Sequence, residues 1–244
     1  MSLSQRKDVI NYFIKKNRYN SYLEIGLYGA PRTFNHIGCE IKNSVDPNPA
    51  ADAEYCTTSD DFFRDLEEDL LMIPPNFKWD IIFIDGDHYH ETVDRDVPNA
   101  LNHLSEGGTI VMHDCAYGDQ TITRSNPRGT DVWKSWVKLR CTRPDLDMNV
   151  INIDWGVGVI QRGTQQIWDK EPLDVCLTEE YFTSLVDDKV DNPLDSYSLY
   201  SFGSFLTDRG DGKIGTYIDD VHPNLTRTYL LPFITVEEFY QIYA

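Results

Sequence analysis

The sequence has no long apolar run, no closely paired cysteines and few basic residues. A membrane-spanning helix needs about 18 consecutive apolar residues, and no stretch of the chain reaches that length. The first residues lead into a helical pattern without the apolar core of a signal peptide, so we expect a cytoplasmic protein. The five cysteines are scattered and show no CxxC spacing, which disfavours a zinc site.

Acidic side chains dominate the charge of the chain. The 40 Asp and Glu residues outnumber the 22 Lys and Arg residues, which gives a formal net charge of −18. Such a protein repels phosphate groups, so we expect neither nucleic acid nor a membrane as a partner. A neutral or cationic small molecule is compatible with this charge.

Strand and helix patterns alternate up to residue 162. Apolar residues at helical spacing predict an amphipathic helix over residues 5–17, and short apolar runs predict buried strands. The predicted strands cover residues 22–25, 41–45, 79–84, 109–112, 148–153 and 156–161. The last two predict an antiparallel hairpin at the sheet edge. Pro98 lies inside a helical pattern and predicts a kink or two shorter helices.

Acidic and imidazole groups follow two of these strands directly. Ligands of open α/β sheets bind beyond the carboxyl ends of the strands, and parallel neighbours place those ends on one edge. We therefore expect the polar residues after strands 79–84 and 109–112 to converge: Asp85, Asp87, His88, His113 and Asp114. The alternative for the first group is an ordinary surface turn after a core strand.

A glycine turn and a later acid suggest a nucleoside site. Gly26, two residues after Glu24, allows the backbone to come close to a ligand. Asp46 follows the second strand, 46 − 26 = 20 positions later, where an acid hydrogen-bonds ribose hydroxyls. Ser59 and Asp60 begin a helix whose N–H groups could face a ligand, although capping alone accounts for them.

Residues 20–162 together resemble a class I S-adenosylmethionine-dependent methyltransferase, and more specifically the methyltransferase-24-like group. The resemblance rests on the order and spacing of six segments: 22–26 (YLEIG), 45–47 (VDP), 83–89 (FIDGDHY), 107–114 (GGTIVMHD), 131–133 (DVW) and 155–160 (WGVGVI). It implies an α/β, Rossmann-like fold with a central, mostly parallel, seven-stranded sheet, an antiparallel edge hairpin and an irregular C-terminal extension. The implied reaction is methyl transfer to a hydroxyl of a small molecule, with a sugar or glycan precursor as one candidate.

The resemblance also implies roles for individual residues. Glu24 and Gly26 would line the methionine end of the cofactor, Asp46 would hold the ribose, and Ser59 and Asp60 would lie near the adenine. The residues implied at the transferred methyl group and the acceptor are Asp85, His88, His113 and Asp114, with Asp85 also counted among the cofactor-binding residues.

The residues at the acceptor end of the site could transfer a proton or bind a metal. Asp87, His88 or His113 could remove the proton of the acceptor hydroxyl, and histidine has the better unperturbed pKa for this. Asp85, His113 and Asp114 could instead coordinate a divalent cation such as Mg²⁺, although histidine is an unusual magnesium ligand. Structural, hydrogen-bonded carboxylates are the remaining interpretation.

Two other function classes stay open at this point. An NAD-type oxidoreductase would need a fuller Gly-x-Gly-x-x-Gly motif, whereas Tyr28 stands two residues after Gly26. A non-catalytic nucleoside-binding or assembly protein could retain the same fold, because fold does not determine function.

Periodicity fades after about residue 165. We expect one Rossmann-like domain over residues 1–162, including the N-terminal helix, and an extension over residues 163–244. Many aromatic residues and few regular patterns predict that the extension packs on the core or on a second subunit, so a homodimer is one expected arrangement.

Overall fold

In the part of the chain that the structure describes, seven strands form one sheet with helices on both faces. The computed structural model describes residues 3–28, 33–115, 130–166 and 233–244. The strands are β1 (Ser21–Ile25), β2 (Ile41–Val45), β3 (Trp79–Ile84), β4 (Leu104–Met112), β5 (Leu146–Ile151), β6 (Val157–Arg162) and β7 (Phe233–Ile234). The α-helices within these ranges are α1 (Arg6–Asn17), α2 (Ser59–Glu67), α3 (His90–Asn102), α4 (Val132–Thr142) and α5 (Val236–Ile242).

The strand order in the sheet is β2-β1-β3-β4-β6-β5-β7. The first four strands are mutually parallel, β6 runs antiparallel to both β4 and β5, and β7 is parallel to β5. The predicted mostly parallel, seven-stranded sheet is therefore confirmed. The predicted hairpin is β5–β6, which lies one strand inside the edge because β7 pairs with the free side of β5.

Alternate side chains of the central strands build two apolar cores. Leu23 and Ile82 point to the face that is covered by α2, α3 and α4. Tyr22 and Phe83 point to the opposite face, which is covered by α1 and α5. Because both faces are buried, these strands need nearly continuous apolar sequence, and that is the pattern that predicted them.

The helix containing Pro98 is continuous, contrary to the expectation of a kink or two shorter helices. One helix, α3, spans 13 residues across the proline. Pro98 lies on the exposed side, whereas Val93, Val97 and Leu101 are buried against the sheet. Packing of this apolar stripe outweighs the loss of one N–H donor at the proline.

The residues after position 232 complete the sheet edge and cover α1. Thr235 and Glu238 form a capping box at the start of α5. The Phe239 ring contacts those of Tyr12 and Phe13 on α1 at centroid distances of 5.0 and 5.7 Å. These contacts join the two ends of the chain, while residues 167–232 of the expected extension lie outside the described ranges.

No helix in the described part of the chain is both long and apolar enough to cross a membrane.

Replacing Phe239 by Ala should destabilise the protein by about 3–5 kcal/mol, because it removes a fully buried ring from this aromatic cluster. Ile242→Ala in the same helix is the matched control. Ile242 is 50% exposed and should lose no more than about 0.5 kcal/mol. Urea unfolding at one pH measures both. Equal losses in the two variants would show that the Phe239 cluster does not hold α5 against α1.

Candidate active site

Four of the predicted strand-end residues lie in contact with one another. His113 Nδ1 is 3.2 Å from Asp85 Oδ1 and 3.0 Å from Asp114 Oδ1. His88 approaches the same two carboxylates. Its Nε2 is 3.8 Å from Asp85 Oδ1, and its Nδ1 is 3.5 Å from Asp114 Oδ2. Parallel pairing of β3 with β4 produces this arrangement, because Ile84 and Met112 are partners in register and both chains turn polar immediately afterwards.

Asp87 occupies the rim of the same site. It lines a recess, partly open to solvent, together with Asp85, His88, His113 and Asp114. Its Oδ2 accepts a hydrogen bond of 2.7 Å from the Thr92 hydroxyl. The structure thus places all five predicted residues at one edge, with Asp87 turned toward the start of α3.

Two further residues complete the charge cluster around His113. Asp154 Oδ1 is 3.7 Å from His113 Nε2, and the Arg6 guanidinium lies against the same nitrogen. Arg6 also approaches Asp85 and Asp154 at 3.6 and 3.7 Å, and its backbone N–H donates to Asp154 Oδ2 at 3.0 Å. His113 therefore lies among three carboxylates and one guanidinium.

The sequence patterns did not predict Arg6 and Asp154 at this site, although they contain a signal for Asp154. Residues 152–156 join β5 to β6, and β6 is antiparallel to β4 with Gly158 opposite Met112. That turn must therefore lie at the same edge as the carboxyl ends of β3 and β4. No such signal exists for Arg6, because a helical pattern does not show where the start of the helix lies relative to the sheet.

The three carboxylates set the ionisation of His113. Burial alone lowers its pKa, but the nearby carboxylates of Asp114, Asp154 and Asp85 outweigh burial and raise the pKa of His113 to about 11. Asp154 responds in the opposite direction. Burial raises its pKa, but hydrogen bonds from His113 and from the Arg6 backbone lower the pKa of Asp154 to about 2.

Arg6 and the carboxylates have opposite effects on the charge of the His113 imidazole. A cationic His113 turns an N–H donor at Nε2 toward the guanidinium of Arg6, which also only donates. Three negative charges outnumber one positive charge, so the cationic form of His113 prevails. The result is a buried cluster in which Arg6 and His113 together offset most of the carboxylate charge.

The two histidines differ in access. The His113 side chain is 3% exposed and is enclosed by charged partners, whereas the His88 side chain is 47% exposed. Only His88 can therefore reach a proton on a bound molecule without rearrangement.

Asp85, His113 and Asp114 also satisfy the spacing for a metal ion. One atom from each residue lies within 4.8 Å of the other two. The buried Asp114 Oδ1 makes no hydrogen bond of good geometry, although His113 Nδ1 is close. Asp154 stands behind the other imidazole nitrogen, as carboxylates commonly do behind ligating histidines. A mixed oxygen and nitrogen donor set fits a first-row transition ion better than Mg²⁺, and His113 would have to lose its proton to ligate.

A second group of His90, Glu91 and Asp131 has similar spacing but a structural explanation. Asp131 Oδ1 accepts from the His90 backbone N–H at 2.7 Å, which satisfies a free donor at the start of α3. Its Oδ2 is 2.9 Å from Lys134 Nζ. Helix capping and an ion pair therefore account for this group.

Glu24 lies inside the core between β1 and α1. Its Oε2 accepts a hydrogen bond from the Tyr22 hydroxyl, and the residue is 2% exposed. Burial outweighs this hydrogen bond and raises the pKa of Glu24 to about 8. The side chain is on the same face as Tyr22, so in this structure it contributes to the core rather than to the surface beyond the strand ends.

Gly26 and Asp46 shape the turn after β1. Gly26 has φ +91°, and a Cβ there would lie 2.2 Å from the backbone oxygen of Asp85. Glycine is required because the chains leaving β1 and β3 touch. Asp46 accepts hydrogen bonds from the backbone N–H groups of Leu27 at 2.7 Å, Tyr28 at 3.1 Å and Asn48 at 2.8 Å.

Ser59 and Asp60 form the first turn of α2. Ser59 is buried, while Asp60 pairs with Arg95 of α3 at 2.9 Å. The nearby Asp96 of α3 is fully buried, and neither of its oxygens has a hydrogen-bond partner. Burial raises the pKa of Asp96 to about 6. The sequence pattern predicted none of this for Asp96, which occupies a position in an apolar stripe.

The family model for a methyltransferase domain, of the methyltransferase-24 group, matches residues 35–115. This segment includes β2, β3 and β4 and contains Asp46, Asp85, His88, His113 and Asp114. The predicted resemblance is confirmed over this segment, which matches the model of a methyltransferase domain. The sheet order is that of an α/β, Rossmann-like fold. No curated protein matches the chain.

Several solved structures are similar to this chain. An O-methyltransferase from Bacillus cereus in complex with SAH is 16% identical, with 66% of this chain and 80% of that chain covered and a TM-score of 0.48. The O-methyltransferase TomG from Streptomyces achromogenes, in complex with SAM, is 13% identical, with 64% and 79% covered and a TM-score of 0.46. MycE of the mycinamycin pathway, in complex with Mg, SAH and mycinamycin VI, is 14% identical, with 64% and 49% covered and a TM-score of 0.43.

Because Glu24 is buried, we expect the free energy of unfolding to depend on pH. The folded protein holds this proton up to about pH 8, whereas the unfolded chain releases it near 4.5, the ordinary pKa of glutamate. Between these values the native state binds more protons, so the free energy of unfolding should fall as pH rises. Glu24→Gln should remove a slope on the order of 1 kcal/mol per pH unit over this window.

Urea unfolding of the wild type and of Glu24→Gln at pH 5, 6, 7 and 8 measures the difference. Asp61→Asn is a suitable control, because this exposed acid lies on the surface of α2. Parallel stability curves for the wild type and Glu24→Gln would contradict a protonated Glu24.

Proposed function

We propose that this protein transfers a methyl group from S-adenosylmethionine to a hydroxyl of a small molecule. The observation that supports this most is the convergence, inside a methyltransferase domain, of an accessible imidazole with two carboxylates beyond the ends of β3 and β4. A neutral sugar or glycan precursor is within the proposed acceptor class, since the net charge of −18 disfavours anionic acceptors.

The proposed cofactor position follows from the order of the strands. Asp46 at the end of β2 would hold the ribose, Ser59 and Asp60 at the start of α2 would lie near the adenine, and Gly26 and Asp85 would meet the methionine end. Glu24 packs inside the core next to β3 and would support the residues at the methionine end. The methyl group would then face the recess beyond β3, where His88 and Asp87 lie.

In the proposed reaction, the acceptor oxygen attacks the methyl carbon. The S–CH₃ bond breaks as the O–CH₃ bond forms, the sulfur keeps the electron pair as S-adenosylhomocysteine, and the hydroxyl proton passes to a base. Holding the two reactants in line supplies much of the acceleration. The charge cluster around His113 contributes by keeping the strand ends fixed.

His88 is the proposed base, and His113 is a positioning residue in the same proposal. Asp85 and Asp114 lie on either side of His88 and would stabilise the imidazolium that forms when it takes the proton. His113 already holds its proton among three carboxylates and is not accessible, so it fits the role of base less well. Asp87 would bind the acceptor at the rim.

A divalent cation is compatible with the same site. Asp85, His113 and Asp114 would hold it, and when bound it would favour the ionised form of the acceptor hydroxyl. Without it, Arg6 and His113 supply the positive charge near the carboxylates, so the chain's own residues provide an alternative.

We also propose that residues 163–244 extend the domain rather than form a second one. The placement of residues 233–244 as β7 and α5 on the sheet of residues 21–162 supports this. A homodimer through the remaining part of this extension belongs to the same proposal.

Calorimetry on the full chain tests the cofactor. S-adenosylmethionine and S-adenosylhomocysteine should bind, whereas NAD⁺ should not. Binding of NAD⁺ alone would replace the proposal by an oxidoreductase.

Asp46→Ala should weaken S-adenosylmethionine binding by about 1–2 kcal/mol. A carboxylate has about four acceptor positions. Three are used by the backbone N–H groups of Leu27, Tyr28 and Asn48, which leaves room for about one ribose hydroxyl. Asp46→Asn, which keeps one oxygen for the turn, separates loss of the turn from loss of the charge. An unchanged Kd in both variants would remove the ribose assignment.

His88→Ala should lower kcat about 100-fold with the cofactor Kd unchanged, because a general base contributes at least this much. Catechol, which offers two adjacent hydroxyls, is the trial acceptor. Removing metal with a chelator distinguishes the two routes: activity that survives chelation assigns the proton to His88 alone, and activity lost on chelation but restored by Mn²⁺ adds the cation. A His88→Ala enzyme with wild-type kcat would exclude His88 as the base.

A further inference from the structure

Trp155 is an exposed tryptophan beside the charge cluster. It is 63% exposed, whereas Trp79, Trp133 and Trp136 are fully buried. Its ring centroid lies 5.9 Å from that of His113. The indole therefore presents an exposed apolar surface directly beside the charged strand ends.

The turn that presents Trp155 is held in a costly conformation. Asp154, Trp155 and Gly156 have φ values of +46°, +61° and +87°. Positive φ is unusual for a bulky residue, and such strain persists only where surrounding contacts fix it.

Several hydrogen bonds fix this turn. The Arg6 backbone N–H donates to the Asp154 carboxylate at 3.0 Å, and the Gly156 N–H donates to the Ile153 carbonyl at 2.8 Å. The Cys115 N–H donates to the Gly156 carbonyl at 3.0 Å, which ties the turn to the end of β4. The indole is therefore presented by a rigid element and loses little freedom when a molecule binds.

Trp155 lies on the acceptor side of the site, as the order of the strands shows. Asp46 ends β2, His88 follows β3, and Trp155 precedes β6, so the three lie in that order along the edge. Neighbouring strands are about 4.8 Å apart, which puts the start of β6 roughly 10 Å from the end of β3.

We propose that Trp155 is the platform on which the methyl acceptor stacks, and that the acceptor is a ring-bearing molecule that is uncharged or cationic. This inference rests on the proposed methyl transfer. The indole supplies a flat apolar surface that attracts rings and cations. Asp87 at the rim and the net charge of −18 disfavour an anionic ring of the same shape.

Fluorine NMR of the full chain labelled with 5-fluorotryptophan tests the platform. Trp155→Phe identifies the Trp155 resonance, and the other tryptophan resonances report that the fold is intact. The probes are catechol, dopamine and 3,4-dihydroxybenzoate, which share one ring and differ in charge, and glycerol, which has hydroxyls but no ring. S-adenosylhomocysteine is present throughout.

The Trp155 resonance should shift with catechol and dopamine, at least fivefold more weakly with 3,4-dihydroxybenzoate, and not with glycerol. The Kd of dopamine from ligand-detected NMR should rise at least 10-fold in Trp155→Ala and stay within about twofold in Trp155→Phe. Met72→Ala, which removes a side chain that is 98% exposed elsewhere on the surface, should leave this Kd unchanged.

Equal responses to all four probes, no response to catechol or dopamine, or an unchanged dopamine Kd in Trp155→Ala would each overturn the inference. Calorimetry with S-adenosylmethionine on the same protein separates it from the proposed function. Cofactor binding with a silent Trp155 contradicts the platform alone, whereas absence of cofactor binding contradicts the methyl transfer itself.

Discussion

Compensation of buried negative charge is the constraint on which this site depends. Parallel pairing of β3 and β4 brings Asp85 and Asp114 together, and the β5–β6 turn adds Asp154. Three carboxylates this close repel one another unless positive charge lies between them. His113 and Arg6 supply it, so one histidine and the first residue of α1 determine whether the strand ends can stay together.

This compensation connects distant parts of the chain. Arg6 reaches the cluster because α1 is held against the sheet, and α1 is held partly by Phe239 near the end of the chain. The same helix covers Glu24, whose protonated form adds no further charge beneath the site. Packing on one face of the sheet and electrostatics at its edge are therefore two parts of one arrangement.

Sequence patterns predicted the strand ends well because two simple rules produce them. Buried parallel strands are apolar runs, and their carboxyl ends lie on one edge, which together place Asp85, His88, His113 and Asp114 correctly. The direction of a side chain is not contained in those rules. The contacts within the protein that the structure shows for Glu24 and Asp46 were therefore not predicted: the Glu24 side chain is bonded to Tyr22, and that of Asp46 to the backbone of the β1 turn. A two-residue strand such as β7 has no periodicity to detect.

The pairing of β7 with β5 has a consequence for synthesis of the protein. About 80 residues separate Ile151 from Phe233, and a ribosome needs roughly 4–16 s to add them. Throughout that interval β5 is an open sheet edge, and the apolar face of α1 lacks the ring of Phe239. Open edges invite pairing with other chains. The nascent protein therefore exposes this edge until residues 233–244 emerge and β7 pairs with β5.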